Sequence, residues 1–190
     1  MSDLYTIQLE KIAGSSVLAG AAAGVAAQKN IVAELVGRPP KICALECGGV
    51  EFATASFVRE AVFGTRDALR RAGVSTQLVL VNAESVVQEE ILLVARALGS
   101  SVVHALMSSR GIAKPTLLGE LDEAQRETLD LVLRLGEATA SDLAAEKPSV
   151  KPTAWNNRLT ALVGRGVLTE GRRERHKVYR PVVKGLSYGS

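Results

Sequence analysis

Strands and helices alternate through the first 107 residues, and that rhythm constrains the fold more than any other feature of the chain. "LYTIQLEKI" (4–12) sets Tyr5, Ile7 and Leu9 against polar neighbours, as a half-buried strand does. A small-residue helix follows, with Ser15 or Ser16 as its cap, ending near Val36 before Gly37 and the Pro39–Pro40 pair. "KICALEC" reads as a short apolar strand, and Thr54 or Ser56 opens a helix that Gly73 closes. "TQLVLVN" is the clearest strand, rich in β-branched residues and Leu. An amphipathic helix follows it with Val86, Ile91, Val94 and Leu98 on one side, and "SVVHALM" is a last strand. Strands separated by helices of this length pair largely in parallel under helical cover. The expected fold class is therefore α/β over 1–107, with a mixed, largely parallel sheet.

"SSRGIAKPTLLGELD" breaks the rhythm. Gly111 and Pro115 interrupt any periodicity, so 108–119 reads as a linker. The charge changes directly after it. Residues 120–146 hold two basic against eight acidic residues, a net −6. Residues 147–190 hold ten basic against two acidic residues, a net +8, although the whole chain carries only +3. The positive charge is thus a local footprint.

A different order of elements occupies 120–184. "DEAQRETLDLVLRLG" is a helix with acids at its start and Gly136 at its end. "TASD" is a capping box opening a short second helix, and "KPTAWNNRLTALVGRG" is a third with Pro152 in its first turn. "VLTE" and "HKVYRPV" then form two strands about a basic loop, leaving 185–190 as a tail. On the third helix, Trp155, Leu159, Leu162 and Val163 share an inward face, so Trp155 is a core residue and not a platform for bases. The opposite face carries Thr153, Asn157 and Ala161, with Arg158 at its flank. Asn can bond adenine through two hydrogen bonds, and Arg can bond guanine or phosphate.

Three helices followed by a β-hairpin in about 65 residues, with "ATASDLAAE" and "TAWNNRLTALVGRGVLTEGRRERHKVYRP", resemble MarR-type and related winged helix-turn-helix DNA-binding domains. The resemblance implies an α+β winged helix in which the third helix reads DNA and the hairpin is a wing. The cluster Arg172, Arg173, Arg175 and Lys177, with Arg180 just beyond, would then be neutralised by phosphates. "ICALECGGVEFATASFVREAVFG" is similar to STAS domains, and more closely to the STAS-like domains that accompany bacterial regulators. In anti-sigma-factor antagonists of that fold, an Asp-Ser-Ser-Gly run opens the corresponding helix and its second Ser is phosphorylated. That Ser falls on Ser56, but Thr54, Ala55 and Phe57 replace the other three residues, so Ser56 reads either as a helix cap or as a modification site.

Catalytic chemistry is not indicated. Cys43 and Cys47 lie on one strand face with no further ligand near in sequence, so buried reduced thiols are expected and no metal or cofactor. Neither His104 nor His176 has an evident nucleophile to serve. "GAAAG" (20–24) fits close helix packing, within a domain or across a dimer. Two cysteines, no basic leader and no long apolar run point to a cytoplasmic protein. The expected function is a prokaryotic regulator of transcription that binds double-stranded DNA as a homodimer, with the STAS-like domain supplying association or signal input. The alternative is a protein-interaction module that engages a regulatory protein partner in a partner-switching system.

Overall fold

The computed structural model describes residues 3–188. Five strands form the main sheet in the order β1 (Leu4–Gln8), β3 (Ile42–Glu46), β5 (Gln77–Val81), β6 (Ser101–Ser108) and β7 (Gly111–Gly119). The first four are parallel, and β7 runs antiparallel to β6. The connections between parallel strands are α1 (Leu9–Ala13) with α2 (Ala21–Gly37), a helix from Ala55 to Arg71, and α5 (Ser85–Ala97). That middle helix consists of α3 (Ala55–Val58), a π-helical turn (Arg59–Gly64) and α4 (Thr65–Arg71). A minor two-stranded pairing joins β2 (Val17–Leu18) to β4 (Phe52–Ala53).

All of these helices cover one face. Cys43, Leu45, Leu78, Leu80 and Val102 point from the sheet into a core with Ile31, Leu35, Phe57, Leu69 and Ile91. Gly24 lets α2 approach the middle helix, since a Cβ there would lie 2.8 Å from the Phe57 carbonyl oxygen. Close packing within the layer thus accounts for Gly24, whereas Gly20 occupies the α2 N-cap at φ 85°. The helix therefore starts later than the Ser15/Ser16 expectation and has no side-chain cap. On α5 the buried line is Val87, Ile91, Val94 and Ala95, with Val86 and Leu98 exposed, a shift of one residue from the periodicity reading.

The opposite face is equally apolar. Ala44, Val79, Val81, Val103, Ala105 and Leu117 form one continuous core with the elements that follow the sheet. These are α6 (Glu123–Leu135), α7 (Ala140–Glu146), α8 (Pro152–Gly164) and a hairpin of β8 (Leu168–Arg173) and β9 (His176–Pro181). Leu129, Val132, Leu143, Trp155, Leu159, Leu162, Leu168 and Tyr179 are all fully buried there. The chain is thus a layered α/β structure, with helices on one side of the sheet and the C-terminal elements on the other.

The linker expected over 108–119 is corrected to a strand. Pro115 sits where the β6–β7 register slips between His104 and Leu106, so two residues, Lys114 and Pro115, stand opposite Ala105. A bulge on an outer strand is where proline is tolerated, because no ladder bond is forfeited. Lys114 takes the left-handed conformation at φ 48° to make it. The tail expected at 185–190 is also docked over its described part. Leu186 is buried, and Ser187 bridges to Thr116, its N–H donating to Pro115 O and its carbonyl accepting from Leu117 N.

Two polar groups mark the sheet. Asn82, at φ 56°, donates to Glu46 Oε2 (2.8 Å) and accepts from the Met107 N–H (2.9 Å), tying together the carboxyl ends of β3, β5 and β6. His104 on β6 is buried, its Nε2 has no partner among the described residues, and burial holds its pKa below the usual imidazole value. The unfolded chain therefore takes up that proton first as pH falls. Stability is full above a pH of about 6.5 and declines as pH drops through the folded value. The urea midpoint is expected to be lower at about pH 5 than at about pH 7.5, and His104→Gln to shrink that difference. An unchanged difference in the variant would assign the acid sensitivity elsewhere.

Candidate nucleic-acid interface

The surface built by α8 and the hairpin begins with its supports. Asp122 and Gln125 form a capping box on α6, and Thr139 and Asp142 form one on α7, as the "TASD" spacing predicts. Asp142 accepts from the Thr139 N–H (2.8 Å) and hydroxyl (2.9 Å). These bonds, aided by the nearby Arg173 guanidinium, hold its carboxyl below its usual pKa. Ala138 exchanges both backbone hydrogen bonds with Tyr179, which fastens the hairpin to the α6–α7 connection. The Tyr179 hydroxyl donates to Asn156 Oδ1 (3.0 Å), so Asn156 serves the structure.

Lys151 precedes α8, and Pro152 occupies its first turn. Trp155, Leu159 and Leu162 point into the core, and Thr153, Asn157 and Ala161 are exposed on the other side. The C-terminal end of α8 abuts the α/β layer: Arg70 donates to Gly164 O (3.1 Å) and Arg66 to Arg165 O (2.9 Å). At 1.5 Å per residue, Thr153 stands about 16 Å along the axis from that contact.

Arg158 is placed differently from its expected role. Its Nη1 donates to Glu127 Oε2 (3.0 Å), and its guanidinium lies 4.8 Å from the Trp155 ring centroid. Glu127 also pairs with Lys147, and Lys147 with Arg158 keeps the Glu127 carboxyl below its usual pKa. Arg158 therefore braces α8 against α6 and does not stand free on the exposed face of α8.

The basic hairpin is partly neutralised from within. Glu137 receives Arg173 (3.0 Å) and Arg180, and Glu170 receives Lys177 (2.9 Å), whose pKa rises through that hydrogen bond. Arg172 and Arg175 are exposed and make no ion pair among the described residues. Arg175 lies with Glu174 in the two-residue turn, where Glu174 takes φ 56°, and Arg172 lies on β8 opposite Lys177. The acidic segment 120–146 is thus a counter-charge for the basic block. The opposite signs of the two segments were visible in sequence, whereas the pairs were not.

Ser56 lies away from this surface. Thr54 is the cap of α3, its Oγ1 accepting from Phe57 N (3.4 Å), and Ser56 hydrogen-bonds Thr54 instead (3.1 Å), which corrects the helix-cap reading of Ser56. Cys43 and Cys47 are buried and reduced, with burial pushing both thiols up to about 12. Among the described residues, no group of three or more His, Cys, Asp or Glu could hold a metal ion, and no helix is long and apolar enough to cross a membrane. No protein-family model matches the chain, and no curated protein matches it.

Proposed function

We propose that the chain is a transcriptional regulator that binds double-stranded DNA, with 120–184 acting as a winged helix and the α/β layer as a STAS-like platform for dimerisation or signal input. The observation that carries this reading is the pairing of an exposed α8 face bearing Thr153 and Asn157 with a hairpin whose Arg172 and Arg175 are exposed and, among the described residues, without ion pairs. Unpaired guanidinium groups on a hairpin suit phosphate oxygens. An exposed Asn on the first turns of a helix suits a base edge in the major groove. Thr153, Asn157, Arg172 and Arg175 are the contacts we assign, while Arg158, Arg173 and Lys177 are held in ion pairs with Glu127, Glu137 and Glu170. A homodimer would supply the second half-site that one small module needs.

Binding isotherms of the full chain test this, using a duplex selected from a random pool and a scrambled control at several salt concentrations. Arg172→Ala with Arg175→Ala should weaken both duplexes about equally and reduce the salt slope by about two. Asn157→Ala should cost about 1–3 kcal/mol on the selected duplex alone. Absence of salt-sensitive duplex binding by the parent chain would sink the reading and leave the protein-interaction alternative.

A further inference from the structure

We infer that the cleft between α4 and the root of the β8–β9 hairpin binds a small phosphate-bearing anion, whether or not the hairpin binds DNA. The cleft encloses about 460 Å³, within the usual range for small-ligand sites. Lys41, Arg66, Arg70 and Ser75 line its α/β wall, and Arg180 and Glu170 lie on the hairpin wall, so four cations face one carboxylate. Glu170 is itself engaged by Lys177. Lys41 pairs with Asp3 (2.9 Å), Arg70 with Asp67 (3.1 Å) and Arg180 with Glu137, and none of these three carboxylates lines the cleft. Exposed pairs of this kind contribute only about 0–1 kcal/mol each, so a ligand with two or more charges can displace them.

Arg66 makes the wall positive. Its Nη1 donates to Ser101 O (2.8 Å) and Arg165 O (2.9 Å), and its Nη2 donates to Ser100 Oγ (2.6 Å). Its Nε is buried without a partner among the described residues. Asp67 and the Phe63 ring (5.3 Å to its centroid) lie near it, but every hydrogen-bond partner is neutral, so the guanidinium still adds positive potential to the wall. No aromatic side chain lines the cleft to stack on a base, which favours recognition of the phosphate group alone. An anion here would touch both layers and so stabilise their contact.

Titration calorimetry of the full chain with pyrophosphate, without DNA and at constant ionic strength, tests the assignment. One saturable site is expected, and Lys41→Gln with Arg70→Gln should weaken it on the order of tenfold. Both side chains are more than half exposed, and Trp155 fluorescence checks that the variant is folded. Arg172→Ala with Arg175→Ala should leave pyrophosphate binding unchanged. No saturable binding, equal affinity in the cleft variant, or loss in the hairpin variant instead would each overturn the proposal. Displacement of pyrophosphate by a short duplex would also overturn it, by giving the site to DNA backbone phosphate.

Discussion

Leu159→Ala is expected to lower the unfolding free energy by about 2–5 kcal/mol and to move two distant probes by the same amount. The residue is fully buried on α8, in the core that also contains Ala44, Val79, Val81 and Val103 of the sheet. Trp155, the single tryptophan, reports the C-terminal side. Cys43 and Cys47 report the helix-covered side, because buried thiols with pKa values of about 12 do not react while the fold is intact. If the two sides share one core, urea midpoints from tryptophan fluorescence and from pulsed thiol labelling coincide in the parent and shift together in the variant. A thiol midpoint that stayed in place while fluorescence moved would restore the two independent domains that the sequence reading expects.

Gly119→Ala should be about as damaging, for a backbone reason. Gly119 ends β7 at φ 131°, a conformation that costs an L-residue about 1–3 kcal/mol. A Cβ there would also lie 2.5 Å from Ser100 O and 2.8 Å from Ser101 Cα, atoms of the neighbouring backbone that cannot rotate away. Overpacking adds about 1–3 kcal/mol, giving a loss of about 2–6 kcal/mol in all. Gly111→Ala, at φ 104° but with no atom within 4 Å, serves as the control for strain without collision. Equal midpoints for the two variants would mean that the collision at Gly119 is relieved by movement of the strand end.

The sequence made the parallel strands and the three-helix-plus-hairpin order legible, because both rest on local periodicity and capping. It hid what depends on distant partners. Arg158 has the phase of a reading residue, but Glu127 lies 31 positions away in sequence and claims it. Thr54 and Ser56 are both hydroxyl residues at a helix start, and only the backbone path decides which of them caps. Pro115 reads as a break because a proline signal does not distinguish a joint from a bulge in an outer strand. The common core did leave a trace. "LVLV" in β5 is apolar at successive positions, so both of its faces need cover. The connections between the parallel strands all lie on one face, and the C-terminal elements had to supply the other.

One margin of the sheet is guarded against strand addition. The β7 margin carries a proline without an N–H, a bulge, and Ser187 already bonded to it. A strand laid along that margin would find a donor missing at Pro115 and a backbone already engaged by the chain's own C-terminal segment. A backbone ladder could grow from β7 only after Ser187 came away, so the docked segment doubles as a cover that keeps this edge from templating further strands.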